Sequence, residues 1–306
     1  MHPFNPAHSL AHSVSGQALW QWRREAQQQA VAAGIAPAEV DWLLQHLTGL
    51  DRLALRLESF REQTEVSLRC SLGDLMHLWQ QRLESRVPLQ YLIGAVAWRQ
   101  FLLTVSPAVL IPRPETEFLI DLVLAIKNSS PHLAEGHWAD LGTGSGAIAL
   151  GLADALPQAV IHAVDRSIEA LTIAQANARS HGLSEHVQFY HGSWFEPLTP
   201  LKGKLSGMVS NPPYIPSPMI PELQPEVTCH EPHLALDGGE EGLACIRHLI
   251  TTAPDYLVSG GVWLIEMMAG QAAAVMELLQ AQGQYRDMQV HQDLAGVDRF
   301  ALAYRV

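Results

Sequence analysis

Asn211, Pro212, Pro213 and Tyr214 stand in a row inside the stretch "MVSNPPYIPS". Each proline fixes its own φ and disfavours helix in the residue before it, so the run makes a stiff, extended turn. Such a turn lets Asn211 offer its side-chain carbonyl, and Pro212 its backbone carbonyl, as two convergent acceptors. Two acceptors fit one NH2 group. Tyr214 adds a ring that can pack on a planar amide or base and exclude water. The group suited to this row is a planar NH2.

A second cluster lies in "ADLGTGSGAIAL", where Gly142, Gly144 and Gly146 alternate with Thr143 and Ser145 behind Asp140. Glycines at this spacing allow a tight turn and the close approach of a ligand to the backbone. Asp165 follows about 20 residues after the glycines, where an acidic group accepts from ribose hydroxyls. Its plain alternative is a carboxylate near the start of a helix. The spacing fits nicotinamide dinucleotides and S-adenosylmethionine. A dinucleotide fingerprint wants G-x-G-x-x-G, whereas position 147 is Ala and the third glycine comes one residue early. That tilts the choice towards S-adenosylmethionine, which has no pyrophosphate to cradle.

Both clusters need a scaffold that brings them to one edge. From about residue 137 the chain alternates short apolar strands ("HWADL", "AVIHAVD", "VQFYHG", "LSGMVS", "GVWLIEMM") with helical stretches such as "GAIALGLADAL" and "EEGLACIRHLITTAPDYL", and ends on strands near "MQVHQD" and "RFALAYRV". This alternation predicts an α/β fold, a mostly parallel Rossmann-like sheet with helices on both faces. Ligands in such sheets bind at the carboxyl ends of the strands, where the glycine loop, Asp165 and Asn211 all fall.

Upstream, "PAEVDWLLQHLTG" and "SLGDLMHLWQQRLESR" carry helical periodicity. Pro37 suits a first helical position and Gly49 the end of the first helix, and Ser71 with Asp74 suits an N-cap for the second. Residues 1–85 are expected to form a small helical domain for substrate recognition, 86–112 a linking β-hairpin, and 113–306 the sheet domain. "PETEFLIDLVLAIKN" opens that last domain with a helix from Pro114.

With 306 residues, 48% hydrophobic and 16% charged, the chain has enough apolar sequence for real cores. A net charge of −12 argues against duplex nucleic acid as the main partner. Cys70, Cys229 and Cys245 form no CxxC pair, and the 15 histidines show no metal-ligand spacing, so no metal site is expected. The start, "MHPFNPAHSLAHS", lacks the pattern of a secretory signal, and no run is apolar enough to span a bilayer. A cytoplasmic protein, off the membrane and monomeric, is the default expectation.

The NPPY row resembles the N-methyltransferases that act on planar NH2 groups, whose targets include adenine, cytosine and glutamine. "RVPLQYLIG", "VSPAVLIPRPETE", "DLGTGSGAIAL", "VSNPPYIP", "EPHLALDGGEEGL" and "DLAGVDRF" occur in this order. Together they resemble the protein N5-glutamine methyltransferases that modify the GGQ loop of peptide-chain release factors. The resemblance implies methyl transfer from S-adenosylmethionine, leaving S-adenosylhomocysteine. It further implies a cofactor site at Asp140, Gly142, Thr143, Gly144, Ser145, Gly146, Asp165, Trp194 (in "GSWFEPL") and Asn211, and a substrate site at Asn211, Pro212, Pro213 and Tyr214. Asn211, Pro212 and Tyr214 would carry the catalysis. Arg113 and Glu117 either line the substrate channel or brace the hairpin. A ribosomal-protein glutamine and a DNA adenine are the alternative acceptors. Two departures from the family pattern, the hairpin "AVAWRQFLLTV" and Val297 in "AGVDR", fall away from the implied methyl-transfer centre.

Overall fold

Helices form before residue 95 where apolar side chains recur at helical spacing, and Ser15, Asp51 and Ser71 cap three of them at the N-terminus. In the computed structural model, which describes residues 12–306, α1 (Gly16–Ala32), α2 (Ala38–Leu47), α3 (Arg52–Leu57), α4 (Leu72–Glu84) and α5 (Leu89–Ile93) pack with a small antiparallel pair, β1 (His12–Val14) and β2 (Val66–Leu68). The residues before His12, which include most of the stretch read for a secretory signal, lie outside the described part. Ser71 and Asp74 form a capping box at the start of α4, satisfying two donors that the helix itself cannot. α2 stops one turn-residue short of the expected Gly49: Thr48 takes the cap, its hydroxyl donating to the Leu44 carbonyl at 2.7 Å.

The chain divides into two units after Ala95 rather than after residue 85. The reason is packing. Leu89, Leu92 and Ile93, expected in the linker, are buried in the same cluster as Leu43, Leu75 and Trp79. What was read as one hairpin segment is thus a short helix followed by β3 (Ala95–Trp98) and β4 (Phe101–Thr104), which pair with each other.

In the second unit, beyond β4, a 3-10 turn at Glu115–Glu117 runs into α6 (Phe118–Ser129). Its sheet contains β5 (Gly136–Leu141), β6 (Ala159–Asp165), β7 (Val187–His191), β8 (Leu205–Ser210), β9 (Leu257–Glu266), β10 (Tyr285–Gln292) and β11 (Asp298–Arg305) in the order β10-β11-β9-β8-β5-β6-β7. The five strands from β9 to β7 are parallel, and β11 alone runs against its neighbours. Flanking helices are α7 (Ala147–Ala155), α8 (Ile168–Ser180), α10 (Ala244–Thr252) and α11 (Ala272–Gln282), with a short α9 (Pro225–His230) in the loop after β8. β8 is buried along its whole length, as a central parallel strand covered on both faces must be. The helix expected over 240–257 is only α10, because Gly239 and Gly242 hold positive φ in a turn before it and Pro254 follows it in a 3-10 turn.

The order places β8 and β6 on either side of β5, so the chain leaves the middle of the sheet in both directions from that strand. A crevice opens at such a switch point, outside the carboxyl ends of the strands. Among the described residues, no helix is long and apolar enough to cross a membrane, and no group of three or more His, Cys, Asp or Glu side chains is placed to hold a metal ion.

Candidate active site

The loop after β5 takes a conformation that only glycine adopts at low cost. Gly142, Gly144 and Gly146 have φ of +78°, +55° and +85°, the left-handed region where a Cβ is strained. The Gly142 and Thr143 N–H groups both donate to the Val164 carbonyl at 2.9 and 3.0 Å, and Gly146 N–H donates to the Thr143 carbonyl at 2.8 Å. The turn is therefore tied to β6 before it enters α7. A Cβ on Gly142 would lie 3.5 Å from the Trp194 ring, whereas none would meet anything within 4 Å at Gly144. Asn177 on α8, fully buried, secures the far side: its Nδ2 donates to the carbonyls of Ser145 (2.9 Å) and Thr104 (3.0 Å).

Asp165 ends β6. Its Oδ2 accepts from Gly144 N–H at 2.8 Å and its Oδ1 from Ser167 N–H at 2.9 Å. Burial raises its pKa, and these backbone donors oppose the rise. Trp194, after β7, holds a positive φ of 50°. Gly142, Thr143, Gly144, Ser145, Asp165, Trp194, Asn211, Pro213 and Arg113 line one cavity.

Five other residues named from the sequence sit elsewhere. Asp140 is fully buried behind the loop, where its Oδ2 accepts from the Thr143 hydroxyl at 2.5 Å, and burial pushes its pKa up to about 7. Gly146 faces Ala174, with the site of a Cβ only 3.1 Å from that methyl. Both shape the loop from behind rather than lining the cavity. Glu117 turns to the hairpin, its Oε1 accepting from Arg99 N–H at 2.9 Å; of its two alternative roles, this is the brace. Pro212 is buried and does not line the cavity. Tyr214 packs its ring on the apolar core, and its hydroxyl donates to Glu266 at 3.0 Å. Its ring is not part of the cavity wall, so a direct stack on a substrate amide is not what this geometry offers.

Asn211 follows the last residue of β8, and its Nδ2 donates to the Thr116 hydroxyl at 3.2 Å. That hydroxyl donates in turn to Glu266 Oε2 at 2.7 Å. Glu266, at the end of β9, is 1% exposed; burial raises its pKa, opposed by the hydroxyls of Thr116 and Tyr214. Arg113 pairs with Glu231, one Nη donating to both carboxylate oxygens at 2.7 and 2.8 Å. Burial also raises the pKa of Glu231, with Arg113 opposing. Thr116, Glu231 and Glu266 were not singled out from the sequence. Thr116 could have been, since it sits between Arg113 and Glu117 in "RPETE".

The donor set suits a nucleoside-bearing sulfonium cofactor. Gly144 leaves open space over its backbone, Asp165 supplies a carboxylate on the cavity wall, and a broad aromatic face comes from Trp194. Arg113, Thr116, Asn211 and Pro213 line the same cavity and present polar groups to whatever shares it.

Comparison with known proteins adds names to this geometry. The family described as methyltransferase small domain matches residues 116–218, and the PrmC N-terminal domain matches residues 21–94. The release factor glutamine methyltransferase of Synechocystis sp. is 51% identical over 95% of this chain and 97% of its own. That of Gloeobacter violaceus is 44% identical over 92% of this chain and 96% of its own. Among solved structures, the hMettl16 catalytic domain in complex with a MAT2A 3'UTR hairpin superposes with a TM-score of 0.55 at 15% identity, covering 78% of this chain and 84% of that one. At that identity the likeness concerns the fold.

Proposed function

The chain belongs to the release factor glutamine methyltransferases, and we propose that it transfers a methyl group from S-adenosylmethionine to N5 of the glutamine in the GGQ motif of peptide-chain release factors, in the cytoplasm. The observation that carries this proposal is that the glycine loop with Asp165 and the amide of Asn211 open on one cavity. A cofactor bound by the first and an amide held by the second would meet there.

An amide nitrogen is a poor nucleophile because its lone pair is delocalised into the carbonyl. Asn211 Oδ1 accepts from an N–H bond of the substrate amide, fixes the direction of its nitrogen and stabilises the positive charge that grows as the N–C bond forms. Positioning and preorganised electrostatics of this kind are the main sources of rate available without a strong base. When bound, S-adenosylmethionine supplies a methyl group on a cationic sulfur, which takes the C–S bonding pair and leaves as a neutral thioether. The alkylated nitrogen is acidic and loses its proton to water. Arg113, held by Glu231 at the cavity wall, orients the acceptor segment, and Trp194 and Asp165 hold the cofactor.

The acidic chain, with a formal charge of −12, favours a protein acceptor over nucleic acid. The test is transfer of labelled methyl to purified release factor and to a variant whose GGQ glutamine is replaced, with ribosomal protein and DNA as parallel acceptors. Label on release factor that vanishes with the glutamine is the expected result. Label only on another acceptor would overturn the substrate.

A further inference from the structure

A side-chain amide has two ends of similar shape and opposite polarity, and only the carbonyl end of Asn211 can accept from a substrate NH2. Something must keep it from turning over. The Pro-Pro turn fixes the backbone but not the amide plane.

The chain of hydrogen bonds behind Asn211 supplies a direction. Glu266 accepts at both oxygens, from Thr116 at 2.7 Å and from Tyr214 at 3.0 Å. A threonine hydroxyl has one proton. Once that proton is given to Glu266, the Thr116 oxygen can only accept, and the group within reach is Asn211 Nδ2 at 3.2 Å. The NH2 end of Asn211 is thereby anchored on Thr116 and the carbonyl end is turned from it. Inverting the amide would set its carbonyl against an oxygen with no proton to give, or strip Glu266 of a donor in a place where it is 1% exposed; leaving such a buried acceptor unmet is costly. An inverted amide would also point N–H donors at an N–H donor of the substrate.

We infer that Thr116 and Glu266 are positioning residues that set the polarity of the Asn211 amide, with Tyr214 as the second anchor of the Glu266 carboxylate. The inference rests on the acceptor role proposed for Asn211. It assigns Tyr214 a task that its place off the cavity wall makes intelligible, and it gives the buried carboxylate at the end of β9 a purpose beyond packing.

The test uses Thr116→Val, which keeps the shape and removes the hydroxyl, Thr116→Ser, which restores the hydroxyl, and Glu266→Gln. In full-length protein, Thr116→Val and Glu266→Gln should lower kcat on release factor roughly 10- to 100-fold, with the dissociation constant for S-adenosylmethionine unchanged by titration calorimetry. Thr116→Ser should recover most of the loss. The second readout does not depend on turnover: the Asn211 side-chain NH2 resonance, identified by its disappearance in Asn211→Asp, should be protected from hydrogen exchange in the wild type and Thr116→Ser, and lose protection in Thr116→Val. Equal protection in wild type and Thr116→Val, or a Thr116→Ser protein as impaired as Thr116→Val at unaltered melting temperature, would overturn the inference. Wild-type protein that shows the protected resonance yet transfers no methyl to release factor would overturn the substrate and leave the positioning role standing.

Discussion

Asp165→Asn separates a carboxylate that holds a ligand from one that only finishes a strand. In the folded protein each oxygen of Asp165 accepts from a backbone N–H, Gly144 at 2.8 Å and Ser167 at 2.9 Å. Asparagine has one oxygen. Whichever way its amide lies, its NH2 end faces a backbone donor, so either the glycine loop or the start of α8 loses its acceptor. A hydrogen bond to a charged group contributes about 1.5–3 kcal/mol, and each 1.4 kcal/mol is tenfold in an equilibrium constant. The loop lines the cavity proposed for the cofactor, so the S-adenosylmethionine dissociation constant should rise roughly 10- to 100-fold, before any loss of contacts to ribose hydroxyls. Titration calorimetry with S-adenosylmethionine and S-adenosylhomocysteine measures this directly, and circular dichroism checks that the fold persists. At saturating cofactor, kcat should stay near the wild-type value, because the proposal gives the amide to be methylated to other residues. A variant that melts earlier but binds both ligands as the wild type does would refute the assignment, since the carboxylate would then serve only as a staple. So would a fall in kcat with no change in affinity.

Asn211→Ala should leave cofactor affinity intact and lower kcat by about 10² to 10³, the range seen when one preorganised polar contact to a developing charge is removed; steady-state kinetics at saturating release factor decides it. Asp140 titrates in the folded protein at about 7 against an ordinary 3.8, so the folded state keeps the proton more tightly and stability falls as pH rises through that window. The separation corresponds to at most about 4 kcal/mol. Thermal melts from about pH 5 to about pH 8 should show the decline in the wild type and a shallower one in Asp140→Asn; a slope shared by both would remove Asp140 as its source. Some slope should persist, because Asp165, Glu231 and Glu266 are shifted the same way by burial. Gly207→Ala puts a methyl 2.5 Å from the ring of Trp138, which is 1% exposed and anchored through its indole N–H on the Leu133 carbonyl at 2.7 Å. Overpacking of that kind costs about 1–3 kcal/mol, seen as a lower denaturation midpoint that Trp138→Phe in the same chain partly restores.

What the sequence makes legible is what the chain encodes locally. Two prolines constrain Asn211 without help from any distant residue, and three glycines at alternate positions declare a turn through positive φ that other residues adopt only with strain. The partners that give these motifs their direction are far away in the chain. Thr116 and Glu266 meet across 150 residues, and Asn177 reaches Thr104 across 73. Residue type also misleads at short range. Within "PETE" the charged Glu117 draws attention, yet the neighbouring hydroxyl faces the cavity and Glu117 braces the hairpin. The reversal of β11 is invisible for a similar reason, since an apolar run specifies burial and not strand direction. The unit boundary moved from residue 85 to Ala95 because Leu89, Leu92 and Ile93 find their core among helices that precede them.

The order of the strands divides the chemistry in two. β5, β6 and β7 end in the glycine loop, Asp165 and the Gly192–Trp194 turn, while β8 and β9, on the other side of β5, end in Asn211 and Glu266. One side carries the groups proposed to hold the cofactor and the other those proposed to orient the amide. The switch point between β5 and β8 is where, in the proposed reaction, the methyl group would pass from one to the other. The ends of β9, β8, β5 and β6 are held by ladders on either side, so their relative positions are set by the core and not by the loops. A ligand on one side can then meet one on the other at a fixed distance without a closing domain. This arrangement requires that substitutions separate by side: Asp165 variants should move affinity for the cofactor, and Asn211, Thr116 or Glu266 variants should move turnover. A double substitution of Asp165 and Asn211 should accordingly show additive free energies, as sites without shared partners do. Strong coupling between them would mean that the two halves are one loop network and that the sheet does not set their spacing.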